Sequence, residues 1–210
     1  MALSKIVKIN DKLSWALWKI DADWQELFCL KDFSADEEAA LLAISHPQKK
    51  AEYLATRLAL HALLDSIGIR QYKLFKDEYG KPHIRNHALH ISLANSYPYA
   101  VAVIGREPVG IDIEKPSEKL LRVQHKFLHE SEYADFYGQA EKLCLAWCAK
   151  ESLYKLYGKK YLSFKEHIMI KRLYYPTQAM LEAAIILPSQ ILFYKLAIYQ
   201  EENFFILLNV

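Results

Sequence analysis

Residues 143–149 read LCLAWCA, an unbroken run of apolar residues that leads directly into Lys150 and Glu151. A helix that is apolar on every side has to be buried, so this run predicts a core helix for the second half of the chain. Glu151 continues the apolar stripe of that helix, and a lone carboxylate is costly to bury unless it is paired or coordinated. The alternative is an ordinary surface pair between Glu151 and Lys155, one helical turn further along.

The rest of the chain alternates between helical and strand patterns. A capping box at residues 34–37 begins one helix, and Pro47 begins a long helix that ends near Gly68. Helical patterns return between residues 117 and 157. Strands are predicted near residues 72–75, 89–93, 99–104, 109–114, 191–199 and 204–210. The turn at residues 79–82 is expected to join the first two strands, and the third and fourth strands are expected to form a hairpin.

Helices followed by antiparallel strands occur twice in this order. The pattern predicts an α+β fold in two similar halves, residues 1–107 and 108–210. Each half is expected to have an antiparallel sheet packed on a long helix.

The composition is that of a globular protein, with 52% hydrophobic residues, 25% charged residues and a net charge of +2. This balance argues against a nucleic-acid-binding protein, which would concentrate positive charge on one face. Cys144 and Cys148 lie in the apolar helix and are interpreted as core residues. Lys5, Lys8 and Asp11 interrupt the region where a signal peptide needs apolar residues, and no apolar segment is long enough to span a bilayer. We therefore expect a cytoplasmic protein that binds neither nucleic acid nor membrane.

The strand at residues 110–114 carries two carboxylates. Because side chains alternate along a strand, Asp112 and Glu114 lie on one face and the two isoleucines on the other. Neighbouring carboxylates repel unless a positive charge lies between them, and Mg²⁺ is a hard cation that prefers oxygen ligands. The alternative is a half-buried strand with a polar outer face.

Several residues of the first half could bind a phosphate-bearing ligand. Lys81 stands in a turn between Gly80, which allows close backbone approach, and Pro82, which fixes the geometry. Asn95 and Ser96 add short polar groups at the end of a strand, and Arg57 lies on the long helix. The alternatives are a surface turn, strand-end turn chemistry and a solvated helix face.

The order and spacing of these motifs resemble the Sfp-type 4′-phosphopantetheinyl transferases. Residues 79–82 are similar to the family's Gly-Lys-Pro element, and residues 110–114 to its Gly-[Ile/Val]-Asp-x-Glu motif. Residues 147–155 are similar to Trp-x-x-Lys-Glu-[Ser/Ala]-x-x-Lys. The family usually has Ser-His-[Ser/Thr] where this chain has Ala-Asn-Ser at residues 94–96. Asn95 cannot carry a positive charge, which leaves the strength of 3′-phosphate binding in question.

The resemblance implies a pseudo-twofold arrangement of the two halves, with the active site in the cleft between them. Coenzyme A would be the co-substrate, with its adenine near Lys81 and Pro82. Mg²⁺, or Mn²⁺ as the alternative ion, would be held by Asp112, Glu114 and Glu151. Glu151 would accept the proton of the attacking serine, and Lys155 would balance charge on the leaving phosphate or protonate it. The coenzyme A ligands implied by the resemblance are Lys81, Pro82, Asn95, Ser96, Arg57, Lys150 and Lys155.

The implied reaction transfers 4′-phosphopantetheine to a serine of an apo acyl or peptidyl carrier protein and releases 3′,5′-ADP. Carrier proteins are acidic around that serine, so residues 120–136, with Arg122, Lys126 and Phe127, are the expected docking region. A monomer is expected. Two alternatives remain: a coenzyme A-binding regulator in which Asn95 marks weakened catalysis, and another Mg²⁺-dependent phosphotransferase. The latter would need a Gly-rich phosphate loop, and the six glycines of this chain include no such run.

Overall fold

The structure is a computed structural model that describes residues 2–210. The chain divides into two compact units: the described residues up to Pro108, and Val109–Val210. Each unit combines an antiparallel sheet with a long helix, as the sequence predicts.

The first unit contains six strands and three helices. Its strands are β1 (Ala2–Asn10), β2 (Leu13–Lys19), β3 (Lys73–Lys76), β4 (Pro82–Arg85), β5 (His90–Ser96) and β6 (Tyr99–Gly105). Its helices are α1 (Trp24–Phe28), α2 (Ala35–Leu42) and α3 (Pro47–Ser66). Four strands form an antiparallel sheet in the order β1-β2-β6-β5, and β3 and β4 form a separate two-stranded ribbon.

The long helix α3 packs on β2 and β6 and supplies much of the core of this unit. Its apolar positions recur at helical spacing, so that Leu54, Leu60 and Leu64 are fully buried. Pro47 stands in its first turn, where a missing N–H is harmless. The helix α2 begins with the predicted capping box, in which Ser34 and Glu37 satisfy each other's backbone N–H groups.

The second unit contains five strands, four α-helices and a 3₁₀ turn at Glu130–Glu132. In chain order its elements are β7 (Ile111–Glu114), α4 (Glu118–Phe127), α5 (Tyr133–Phe136), α6 (Ala140–Tyr157), α7 (Phe164–His167), β8 (Ile168–Tyr174), β9 (Met180–Leu187), β10 (Gln190–Glu201) and β11 (Phe204–Asn209). The sheet order is β7-β11-β10-β9-β8, and α6 packs on β7 and β11. Helix α6 is the predicted core helix, and Cys144 and Cys148 are fully buried in it.

Two predictions of strand pairing are wrong. The fourth predicted strand, β7, does not form a hairpin with β6; it pairs with β11 instead. Both edges of β6 are already paired, with β2 and with β5, so its backbone groups have no free partner positions. The turn at residues 79–82 is expected from the sequence to join β3 to the strand at residues 89–93, which is β5. It joins β3 to β4 instead, and these two strands pair with each other.

No helix within residues 2–210 has the length and apolar character needed to cross a bilayer.

Candidate active site

The site in the second unit depends on a very close approach of β7 to α6. A Cβ atom added at Gly110 would lie 1.9 Å from the Ser152 carbonyl oxygen and 2.8 Å from the Leu156 backbone nitrogen. Only glycine fits this position. The Gly110 N–H donates to Asn209 Oδ1 at 2.8 Å, which fixes the start of β7 against the end of β11.

This approach brings Asp112 of β7 to Lys155 of α6. Lys155 Nζ donates to Asp112 Oδ1 at 2.6 Å and lies 3.4 Å from the Ile111 carbonyl oxygen. Asp112 is only 5% exposed, and its burial raises the pKa of the carboxyl although Lys155 opposes that shift. Burial works against the Lys155 charge, but attraction to Asp112 and then Glu151 raises the pKa of Lys155 overall. Lys155 therefore keeps its proton, and its charge is matched by the Asp112 carboxylate.

Glu151 lies beside this pair without bonding to it. It is half-buried, and its side chain makes no hydrogen bond or ion pair within residues 2–210. Burial raises the pKa of Glu151, the Asp112 charge raises it further, and Lys155 lowers it. Glu114 lies on the same face of β7 as Asp112, and both charges add to the effect of burial that raises the pKa of Cys144.

These residues can accommodate a divalent cation, although they are not assembled around one. Among the residues described, no group of three His, Cys, Asp or Glu side chains is placed to hold a metal ion. Asp112 Oδ2, however, is buried and has no hydrogen-bond partner in the described part of the chain. An orphaned carboxylate oxygen next to a second, unbonded carboxylate fits the oxygen-donor chemistry that Mg²⁺ prefers.

Lys150 does not belong to this site, and its prediction as a coenzyme A ligand is corrected by the structure. Its side chain is 0% exposed and donates to Glu132 Oε2 at 2.7 Å and to the carbonyls of Phe127 and Phe164 at 2.8 and 3.0 Å. All three hydrogens of the ammonium are thereby used. Lys150 has neither the exposure nor a free donor with which to bind a phosphate.

The predicted docking region is only partly on the surface. Arg122 and Lys126 are exposed on α4, but Phe127 is 1% exposed and packs edge-on against Trp147 with ring centroids 5.2 Å apart. Phe127 is therefore a core residue and not a contact for a partner, which corrects the prediction.

In the first unit, the turn at residues 79–82 is held by Asp77. Asp77 Oδ1 accepts from the backbone N–H groups of Tyr79 and Lys81, both at 2.9 Å, and Oδ2 lies 2.9 Å from His83 Nε2. The hydrogen bond with His83 and those from the backbone lower the pKa of Asp77. Burial lowers the pKa of Lys81, while the Asp77 charge opposes that shift.

Arg57 and Pro82, two of the predicted coenzyme A ligands, line one cavity of about 400 Å³ in this unit. The cavity is also lined by the Phe75 ring, by three more basic side chains and by two acidic ones; the basic residues are Lys73, Lys76 and Arg85, and the acidic ones Asp36 and Glu37. The Arg57 guanidinium stacks on Tyr53 at 3.6 Å, and its Nε is buried without a hydrogen-bond partner in the described residues. Basic and aromatic groups around such a cavity suit a nucleotide.

Asn95 and Ser96 are not among the residues that line this cavity. Asn95 is exposed at the end of β5, opposite Ala100, and Ser96 stands opposite Tyr99 at the β5–β6 turn. The structure therefore does not bring them together with Arg57.

Two residues that hold other side chains of these regions in place were not predicted from the sequence. Asp77 holds the turn that carries Lys81, and Glu132 pairs with Lys150. An aspartate three residues before a glycine is a signal for a side-chain-capped turn, so Asp77 could have been found. Glu132 closes a local capping box with His129, but its other two partners, Lys150 and Ile170, lie 18 and 38 positions away, so no local pattern indicates the buried ion pair.

Two family models match the chain. The 4′-phosphopantetheinyl transferase N-terminal domain matches residues 37–105, and the 4′-phosphopantetheinyl transferase superfamily model matches residues 108–181. Together they span most of the chain, which belongs to the 4′-phosphopantetheinyl transferase superfamily.

Its relatives are of the Sfp type. The 4′-phosphopantetheinyl transferase gsp of Aneurinibacillus migulanus is 33% identical over 129 residues, which is 53% of this chain and 54% of the relative. The 4′-phosphopantetheinyl transferase Sfp of Bacillus subtilis strain 168 is 32% identical over 110 residues, 46% of this chain and 49% of the relative. The matches span about half the length of these relatives.

Proposed function

We propose that the protein transfers the 4′-phosphopantetheine group of coenzyme A to a serine of an apo acyl or peptidyl carrier protein. The observation that carries the proposal is the joint placement of Asp112, Lys155 and Glu151 on β7 and α6. The membership of the family and the names of the relatives support the same reaction.

In the proposed step, the serine hydroxyl gives its proton to the Glu151 carboxylate, directly or through a water. The serine oxygen forms a bond to the β-phosphorus of coenzyme A, and the bond from that phosphorus to the bridging oxygen breaks. The bonding electrons leave with 3′,5′-ADP. Glu151 suits the role of base because it is half-buried and no hydrogen bond in the described residues occupies it.

Lys155 is proposed to stabilise the negative charge that develops on the leaving phosphate. Its raised pKa means that it keeps its proton, which favours charge balance over proton donation. Asp112 orients the ammonium through the 2.6 Å contact.

Mg²⁺ is part of the proposal, held by Asp112, Glu114 and Glu151, with Mn²⁺ as the alternative. When bound, such an ion supplies positive charge that stabilises the transferring phosphoryl group. The buried, unpartnered Oδ2 of Asp112 supports this assignment.

The first unit is proposed to bind the nucleotide part of coenzyme A. The cavity that contains Arg57 and Pro82 supplies cations for the phosphates and flat surfaces for the base. The turn that Asp77 holds presents Lys81 beside Pro82. Asn95 and Ser96 stay in the proposal as secondary contacts at the end of β5.

The carrier protein is proposed to dock on α4. Lys119, Arg122, His125 and Lys126 are exposed there, and Glu118 is an exposed acid on the same helix. A basic surface attracts an acidic partner and speeds its association. The protein is proposed to act as a monomer in the cytoplasm, and its three free cysteines are compatible with a reducing compartment.

Intact-protein mass spectrometry tests the proposal. Apo carriers from fatty-acid, polyketide and nonribosomal peptide synthesis are incubated with the protein, coenzyme A and Mg²⁺. We expect one of them to gain the mass of one phosphopantetheine, with equimolar release of 3′,5′-ADP, and the gain to disappear with EDTA or Asp112→Ala. An absence of any gain with all three carriers, under conditions in which the protein is folded, would contradict the proposal.

A coenzyme A-binding regulator is the second candidate, and the exposed, neutral Asn95 is the observation that favours it. If the protein is a regulator, calorimetry should detect binding of coenzyme A, and no carrier protein should be modified. In that case Asn95→His is the first variant to test for restored transfer.

A further inference from the structure

The buried ion pair between Lys150 and Glu132 stands directly beside Glu151 in the chain. Its side chains are 0% and 1% exposed. Glu132 Oε2 accepts from Lys150 Nζ at 2.7 Å and from the His129 N–H at 2.8 Å, and Oε1 accepts from the Ile170 N–H at 2.7 Å. Both charged groups are thus fully hydrogen-bonded.

The pair joins four segments of the second unit to α6. Lys150 bonds to the carbonyl of Phe127, the last residue of α4, and to that of Phe164, the first residue of α7. Glu132 bonds to the 129–132 turn and to the start of β8. An ion pair of this kind is costly to desolvate, and well-packed apolar residues are often as stable in its place. The Lys150 ammonium instead ties α6 to three separate segments, because its acceptors are Glu132, Phe127 and Phe164.

We propose that the Lys150–Glu132 pair positions Glu151 for proton transfer and couples its placement to α4. Lys150 and Glu151 are consecutive residues of one helix, so any rotation or translation of α6 at Lys150 is shared by Glu151. The Glu151 side chain makes no hydrogen bond within residues 2–210, so the backbone of α6 is what holds it in place. Lys150 and Glu132 are positioning residues, because neither touches a reacting group. This inference rests on the function proposed above.

A phosphate-binding role for Lys150 and this positioning role predict different kinetics. Loss of a phosphate ligand weakens coenzyme A binding with or without Mg²⁺, whereas a displaced Glu151 lowers kcat and leaves the coenzyme A affinity measured without Mg²⁺ unchanged. The end of α4 is also one of the segments bonded to Lys150, so KM for the carrier protein is expected to rise.

The test uses the double variant Lys150→Met/Glu132→Gln, which removes both charges together and leaves no buried charge unpaired. The matched control is Lys195→Met/Glu182→Gln, a looser pair on the sheet with side chains 62% and 35% exposed and 4.0 Å apart. Wild-type transfer to an apo carrier is measured first by mass spectrometry. kcat, both KM values and the calorimetric affinity for coenzyme A in the absence of Mg²⁺ follow. Circular dichroism establishes folding.

We expect kcat of the double variant to fall at least about tenfold, with coenzyme A affinity within about twofold of wild type and the control unchanged. A folded double variant with wild-type kcat would overturn the positioning role, and so would a large loss of coenzyme A affinity at unchanged kcat. If the double variant does not fold, Lys150→Arg, which keeps the charge but alters the geometry, is judged by the same criteria. An inactive wild type refutes the proposed function itself, whereas an active wild type with an unaffected variant refutes the positioning role alone.

Discussion

Replacing Gly110 by alanine tests whether the close approach of β7 to α6 creates the site. The new Cβ would lie 1.9 Å from the Ser152 carbonyl oxygen, and real Cβ atoms almost never approach closer than 3.0 Å. The obstacle is backbone, so the strand and helix have to separate by about 1 Å or more to reach an allowed contact. The 2.6 Å contact between Asp112 and Lys155 then lengthens beyond the range of a hydrogen bond.

We expect Gly110→Ala to lose about 1–3 kcal/mol of unfolding free energy, as overpacking in a well-packed interior does. For a chain of this length each kcal/mol lowers Tm by about 2–4 °C. Because a displacement of about 1 Å at reacting groups can cost about 10²-fold in rate, kcat should fall by that order in the folded variant. Phosphopantetheine transfer is followed by mass spectrometry at 20 °C, and Tm by circular dichroism.

Gly138→Ala is the matched control. Gly138 has φ of +75° with nothing within 4 Å of an added Cβ, so alanine there strains the backbone by about 1–2 kcal/mol without touching the site. It should lower Tm and leave kcat unchanged. If Gly110→Ala retained both wild-type Tm and wild-type kcat, the dependence of the site on this contact would be refuted.

Three further predictions concern single side chains. Glu151→Gln should keep the fold and lower kcat by about 10²–10⁴-fold in the transfer assay; near-normal transfer would exclude Glu151 as the base. Asp77→Ala should release the turn that carries Lys81 and raise KM for coenzyme A about tenfold, or about 1.4 kcal/mol, with kcat unchanged; an unchanged KM would remove Asp77 from the binding site. Burial, together with the Lys31 charge, lowers the pKa of His61 to about 4. The unfolded chain binds this proton first, so about 3 kcal/mol of stability, complete above pH 6.5, should be lost as pH falls to 4. Urea unfolding at pH 4 to 7 should show this loss in the wild type and much less of it in His61→Phe.

The helix boundaries and the chemistry of the acidic motif follow from local patterns. The capping box of α2 and the apolar run of α6 involve residues only a few positions apart. Both helices can therefore be predicted from the sequence without knowledge of the fold. The same holds for Asp112 and Glu114, whose common face follows from the alternation of a strand.

Strand pairing could not be predicted in this way. β7 begins three positions after Pro108 and lies close to β6 in sequence, yet it pairs with β11. Gly110 bonds to Asn209 across 99 positions. Each edge of a strand can hydrogen-bond to only one neighbouring strand. The pairing of β7 therefore depends on how all the other strands of the chain are paired.

Lys150 and Lys155 show the same division within one helix. The motif at residues 147–155, typical of phosphopantetheinyl transferases, already places a lysine on each side of Glu151 along the chain. The folded structure alone shows that Lys155 contacts Asp112 of the acidic strand, while Lys150 is buried against Glu132 and two backbone carbonyls. The physical reason is that the two side chains have the same charge and similar reach. Their different roles therefore depend on which distant segments supply the acceptors on each side of α6.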